Sequence, residues 1–127
     1  MTDARVVLLV DDEPRMLSAL KRTLRREGWA IETAVNGSEA LARLGCDPAV
    51  GVIVSDFKMP GRTGIELLTE VRTRYPATGR ILLSGWTSEI PSGKLAGAGL
   101  SAVLAKPWDD AELKAAIRGA MTVSGAS

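Results

Sequence analysis

At 127 residues, 46% hydrophobic and 24% charged, the chain has the size and composition of one ordinary globular domain, able to bury roughly two thirds of its unfolded surface without staples. A formal charge of +1 is too balanced for a direct nucleic-acid binder or a membrane-surface protein. Histidine is absent, which excludes Ser–His–Asp and Cys–His sites, His-ligated metals and a phosphoacceptor histidine within this chain, so carboxylates, hydroxyls and lysine must carry any chemistry.

The first strand is predicted over Val6–Val10, and acids follow it at once in Asp11-Asp12-Glu13. Such a run is too short and too acidic at its end for a signal peptide or a membrane span, so a cytoplasmic protein is expected. A helix over Pro14–Glu27 carries Leu17, Leu20 and Leu24 at helical spacing and is expected to end at Gly28. The basic run Lys21-Arg22-Thr23-Leu24-Arg25-Arg26 flanks that leucine face and reads as solvated surface. A second strand, Ala30–Val35, leads through Asn36-Gly37 to a helix over Ser38–Leu44 with Ser38 as its expected N-cap. The lone Cys46 cannot form an internal disulfide, which points to a reducing compartment, and it reads as a small half-buried residue rather than a reactive thiol.

Further along, a strand over Val50–Ser55 precedes a helix over Gly64–Tyr75, which places Ile65, Leu68 and Val71 on one face and stops before Pro76. A fourth strand is predicted at Arg80–Ser84. The segment after it, TSEIPSGKLAGAGL, contains Pro91 and three glycines, so any helix there should be short, broken or mobile. A fifth strand at Ala102–Ala105 is followed by a helix over Asp109–Met121, with Asp109 and Glu112 in capping-box spacing, and by a small-residue tail, 122–127, expected to fray. The first, third and fourth strands are continuously apolar, as strands covered on both faces should be. Strict β–α alternation implies an α/β fold with a doubly wound, five-stranded parallel sheet and right-handed crossovers.

In such a sheet, ligands bind beyond the carboxyl ends of the strands. Those ends carry Asp11-Asp12-Glu13, Asp56, Ser84 and Lys106-Pro107. Two carboxylates about 4 Å apart cost roughly 4 kcal/mol at an effective dielectric near 20. A hard cation with oxygen ligands relieves that cost, and Mg²⁺ suits; a shared proton is the alternative.

The segments VVLLVDDEP, VIVSDFKMPGRTGIELL, ILLSG and VLAKPW, each at a predicted strand end and in this order, resemble the signature segments of response-regulator receiver domains in two-component signalling, the CheY-like superfamily. The resemblance runs from about Val6 to Ala120. It implies a single receiver domain over 1–127, with a core of about 5–121 and a flavodoxin-like (βα)5 fold of strand order 2-1-3-4-5. It makes Asp56 the phosphoacceptor, Asp12 a direct Mg²⁺ ligand and Asp11 a water-mediated one, with Mn²⁺ a possible substitute. The backbone carbonyl of Lys58 would complete the protein's share of the coordination shell, Ser84 would bond one phosphoryl oxygen, and Lys106 would pair with another. The Lys106-Pro107 bond is often cis in this family, which would help to aim the lysine. The donor would be a phosphohistidine on a sensor histidine kinase or histidine phosphotransfer protein, or a small phosphodonor. The chain would act as a switch with self-directed chemistry only, not as an enzyme.

The sequence departs from the family pattern in three places. Val103 stands where receivers commonly carry a switching aromatic. Trp86 and Lys58 occupy positions flanking the route of the hydrolytic water, where their bulk is expected to shield an acyl phosphate. The weak segment with Pro91 and Gly93 falls on a face that receivers often present to partners. The stretch KPWDDAEL is similar to receivers joined to HD-type cyclic-di-GMP phosphodiesterases and to some hydrogenase regulators, and the chain itself carries no such output. Two other readings stand beside the switch. One is a receiver-shaped interaction module that works without phosphate. The other is an aspartyl-nucleophile phosphatase, which wants a second acid where Lys58 stands.

Overall fold

The computed structural model of the chain describes residues 6–47, 50–59, 61–85, 99–106 and 108–125, and the side chains of all of these but 122–125. Trp86, the Pro91–Gly93 segment and Pro107, and with them the expected weak helix, the shielding tryptophan and the cis bond, lie outside the described residues.

Five strands, β1 (Val6–Val10), β2 (Ala30–Ala34), β3 (Val50–Asp56), β4 (Gly79–Ser84) and β5 (Ala102–Ala105), form one sheet in the order β2-β1-β3-β4-β5. Every neighbouring pair is parallel. The helices are α1 (Pro14–Leu24), α2 (Gly37–Cys46), α3 (Gly64–Arg74) and α4 (Asp110–Gly125). Val7 and Leu9 of β1, with Val52, Val54, Ile81 and Leu83, pack under α1 (Leu17, Leu20, Leu24) and α4 (Leu113, Ile117). Leu8, Val10, Ile53 and Leu82 pack on the opposite face against α2 and α3, through Leu44, Ile65, Leu67, Leu68 and Val71. β1, β3 and β4 therefore read as unbroken apolar runs because successive side chains enter two different cores, and each fully buried leucine contributes about 2 kcal/mol. The expected α/β architecture and strand order are both present.

Helix ends differ from the sequence expectation, and local hydrogen bonding explains how. The N-cap of α2 is Asn36, not Ser38: its side chain accepts a 2.7 Å bond from the Glu39 N–H, and the helix begins at Gly37. Asn and Ser are comparable caps, so the helix could take the amide of the turn residue two positions before the expected Ser38. α1 stops at Leu24 rather than running to Gly28; Glu27 N–H turns back to the Leu24 carbonyl, and Gly28 takes φ +86° in the turn that follows. α4 extends to Gly125, past the Met121 expected from sequence; propagating an established helix costs far less than starting one. Its start is held by Asp109, whose Oδ2 accepts from the Glu112 N–H at 2.9 Å. Cys46 is exposed at the end of α2, not half-buried. The basic residues at and just beyond the end of α1 (Lys21, Arg22, Arg25 and Arg26) are all exposed, as expected.

β1 and β3 are offset by an irregular step: Val6 pairs with Val50, but Val7 pairs with Val52, so Gly51 is passed over. Beyond the step the register is continuous to Val10 opposite Ser55. No helix among the described residues is long and apolar enough to cross a membrane.

Candidate functional site

The parallel sheet delivers all its strand ends to one edge, and the side chains found there are those expected. Asp11 continues the β1–β2 ladder by one residue, its N–H donating to the Ala34 carbonyl at 3.1 Å. Its side chain is 2% exposed, and Oδ1 accepts from the Glu13 N–H at 2.9 Å, closing a tight turn into α1. Pro14 follows at the first helical position, where a missing N–H costs nothing. The second oxygen, Oδ2, is buried and accepts no hydrogen bond. Burial pushes the Asp11 carboxyl above its ordinary value. The Glu13 N–H opposes that shift, negative Asp56 reinforces it, Lys106 opposes it, and Asp12 adds a smaller push upward.

Asp56 ends β3 and is 8% exposed. Continuing the Val10–Ser55 pairing by one residue sets Asp56 level with Asp11. Its backbone is clamped: the Ser55 hydroxyl donates to the Asp56 carbonyl at 2.9 Å, the Phe57 N–H to the Leu83 carbonyl at 2.9 Å, and the Gly64 N–H to the Phe57 carbonyl at 2.8 Å. Gly64 opens α3 directly against the Asp56 carbonyl, and a β-carbon there would overlap that oxygen. A capping box between Thr63 and Glu66 fixes the same helix start.

Lys106 follows β5. Its N–H donates to the Ser84 carbonyl at 3.1 Å, and its ammonium reaches back over the edge to Asp56 Oδ1 at 2.5 Å and Asp11 Oδ2 at 3.6 Å. Ser84 is buried at the end of β4, one residue beyond Leu83, the register partner of Asp56. Asp12 is exposed at the rim, where with Lys58, Met59 and Thr63 it lines an open cleft of about 380 Å³. Val103, in the position of the expected aromatic, is half-buried and packs on the α2–α3 side of the sheet.

Asp11, Asp12 and Asp56 each present a carboxylate oxygen, and the three lie within 4.8 Å of one another. Three carboxylates against one ammonium leave a charge of −2 (−3 + 1), which a divalent ion would neutralise. The donor set is all oxygen, one buried oxygen lacks a hydrogen-bond partner, and the rim is open; hard, partly hydrated cations such as Mg²⁺ fit that combination. Of the residues expected from sequence, the structure brings the carboxylates of Asp11, Asp12 and Asp56 together and sets the Lys106 ammonium against Asp56 and Asp11. Sequence reasoning missed the supports beneath them. Ser55, Phe57 and Gly64 hold the Asp56 backbone, and only Gly64, a glycine at a helix start, carried any signal of close approach.

The family model for the response regulator receiver domain matches residues 7–118. The hydrogenase transcriptional regulatory protein HoxA of Cupriavidus necator is 42% identical over 120 residues, covering 94% of this chain and 24% of HoxA. The transcriptional regulatory protein TrcR of Mycobacterium tuberculosis is 36% identical over 115 residues, covering 89% of this chain and 44% of TrcR. The chain thus spans well under two thirds of the length of these relatives. Among solved structures, the signal receiver domain of an HD domain-containing protein from Pseudomonas fluorescens Pf-5 superposes with a TM-score of 0.87 at 29% identity, covering 99% of this chain and 93% of that one. The chemotaxis protein CheY4 of Vibrio cholerae gives 0.82 at 31% identity, with 93% and 98% covered. A hydrogenase regulator and an HD-associated receiver are the two kinds of relative that KPWDDAEL suggested. With its sheet order, its cluster of acids and a family match over nearly its whole length, the chain belongs to the response regulator receiver domain family.

Proposed function

We propose that this chain is a phosphorylation switch of a two-component system, taking a phosphoryl group onto Asp56 from the phosphohistidine of a sensor histidine kinase or a histidine phosphotransfer protein. The observation that carries the reading is the Lys106 ammonium 2.5 Å from Asp56 Oδ1, beside two further carboxylates. An Asp56 oxygen attacks phosphorus in line, the P–N bond of the donor breaks, and its electron pair leaves with the imidazole, which takes up a proton. Positioning and charge compensation are most of what such a transfer requires. Asp11, Asp12, Asp56 and the Lys58 carbonyl would hold Mg²⁺, or Mn²⁺ in its place. When bound, the ion supplies positive charge to the equatorial oxygens. Lys106, already paired with the acceptor acid, would supply more. The Ser84 hydroxyl, buried at the neighbouring strand end, is the donor for a third oxygen.

A switch of this kind has self-directed chemistry only, needs no substrate pocket and belongs in the cytoplasm. Its output lies in another segment or another protein. The interaction-module reading keeps one observation in its favour, since an aliphatic Val103 cannot perform the aromatic swing. Titration with beryllofluoride, with and without Mg²⁺, followed by tryptophan fluorescence and paired with phosphoryl transfer to the parent and Asp56→Asn, separates the two. A Mg²⁺-dependent response, with label lost in Asp56→Asn, supports the switch. Equal labelling of the two proteins, or no response to beryllofluoride, overturns it.

A further inference from the structure

β5 is the weakest strand of the sheet: four residues at an edge, three half-buried and the last, Ala105, exposed. Burial therefore does little to fix where the chain goes next, yet the next residue is Lys106, whose ammonium must meet Asp56 at the end of a long, flexible side chain. On the strand side, the Lys106 N–H is held by the Ser84 carbonyl. On the far side, the described contact is with α1, on the opposite side of the sheet from α2 and α3. The half-buried indole of Trp108 packs among the residues under α1 and α4, and its Nε1–H points to Thr23 Oγ1 at 3.4 Å. The Thr23 hydroxyl lies 3.3 Å from Asp110 Oδ1 and 3.2 Å from the Ala19 carbonyl. Its single hydrogen serves one of these acceptors while the oxygen accepts from the indole. Each bond is long, so the ring's packing supplies most of the hold, and the hydroxyl sets which way the ring faces.

We infer that Trp108, latched to Thr23 of α1, is the positioning residue that sets the reach of Lys106 to Asp56. The inference rests on the reading of Lys106 given above. The latch spans 85 residues of sequence and pins the chain two residues beyond the lysine. Between that pin and the Ser84 carbonyl, the Lys106 backbone has little freedom. Losing the pin lets the ammonium wander by fractions of an ångström, and displacements of about 1 Å can cost roughly 100-fold in a positioned reaction. The contacts described for Trp108 are with Thr23 and the core under α1 and α4, not with the acids or the lysine head, so it acts through Lys106 and leaves the carboxylate cluster as it is.

The test uses Trp108→Leu, Trp108→Phe and Thr23→Val, each alone and over Lys106→Ala. With acetyl phosphate and Mg²⁺, the initial phosphorylation rate is expected to fall about tenfold in Trp108→Leu and about threefold in the other two, while the Mg²⁺ midpoint by calorimetry stays unchanged. Over Lys106→Ala, the same substitutions should have no further effect; a purely structural role would instead lower the rate again. In parallel, a small amine-acylating reagent should label Lys106 faster in the variants than in the parent, relative to Lys21 and Lys114. Trp108→Phe and Thr23→Val carry the test if Trp108→Leu does not fold. Unchanged labelling of Lys106, or additive losses over Lys106→Ala, overturns the inference. A parent protein that takes no phosphoryl group overturns the proposed function instead, and the labelling still decides whether Trp108 positions the lysine.

Discussion

The N–H of Lys106 donates to the carbonyl of Ser84 across 3.1 Å, so the ammonium and the buried hydroxyl of the site hang from one β4–β5 ladder. Lys106 is also the one cation within reach of both Asp11 and Asp56 among the described residues. Lys106→Met is therefore expected to lower phosphorylation by a small donor about 100-fold, in line with removing one charge-stabilising donor from a preorganised site. Mg²⁺ should still bind, and more tightly, because a competing positive charge is gone. Rates of label incorporation beside calorimetric Mg²⁺ titrations check both halves.

Asp11→Asn separates stability from function. The carboxylate is buried with one oxygen that accepts no hydrogen bond and lies 3.6 Å from the Lys106 ammonium, and it faces two other acids. In chelator-treated protein, removing its charge should raise stability by about 1 kcal/mol. That corresponds to a Tm increase of about 3 °C for a domain of this size. The same substitution should weaken Mg²⁺ binding and erase the stabilisation that Mg²⁺ gives the parent. Thermal melts with chelator and with excess Mg²⁺ measure it; a lower Tm in chelator would show that the negative charge is better compensated than its surroundings indicate.

Gly64→Ala adds a methyl group where the Asp56 carbonyl already sits. Helix propensity favours alanine, by up to about 1 kcal/mol, but overpacking against backbone costs about 1–3 kcal/mol and has no flexible neighbour to absorb it. The variant should show a lower urea midpoint, and its loss of phosphorylation should exceed what the unfolded fraction accounts for, since the methyl pushes on Asp56, the proposed acceptor.

Glu27 joins α1 to α4 through Arg118 at 3.0 Å and Lys114 at 3.4 Å. Its hydrogen bond to Arg118, with help from Lys114, holds its carboxyl below the ordinary value of 4.5. A depressed folded-state pKa contributes stability that is present above that value and fades as pH falls through the folded pKa. Glu27→Gln should lower the urea midpoint slightly at pH 7, and the gap between variant and parent should close as the pH drops below 4.5. A gap that persists in acid would assign the effect to packing rather than charge.

Much of this was legible in sequence because burial on two faces leaves a strong mark. β1, β3 and β4 appear as apolar runs, and each run stops where a polar strand end meets the site: Asp11 after Val10, Asp56 after Ser55, Ser84 after Leu83. Helix ends were less legible because capping is decided by near-equal local choices, as at Asn36 against Ser38. Contacts between side chains far apart in sequence left no mark at all. Nothing in the basic run of α1 marks Thr23 as the partner of Trp108, since a threonine flanked by arginine and leucine looks like any solvated position.

The step at Gly51 behaves like an expansion joint. It lies at the foot of the sheet, between the Val6–Val50 and Val7–Val52 pairs, and every rung above it is regular up to the acids. The extra residue of β3 is taken up there, before the ladder begins to count, so Asp56 still arrives opposite Asp11. The irregularity is thus confined to the end of the sheet away from the acids, and the rungs that align them are left undisturbed.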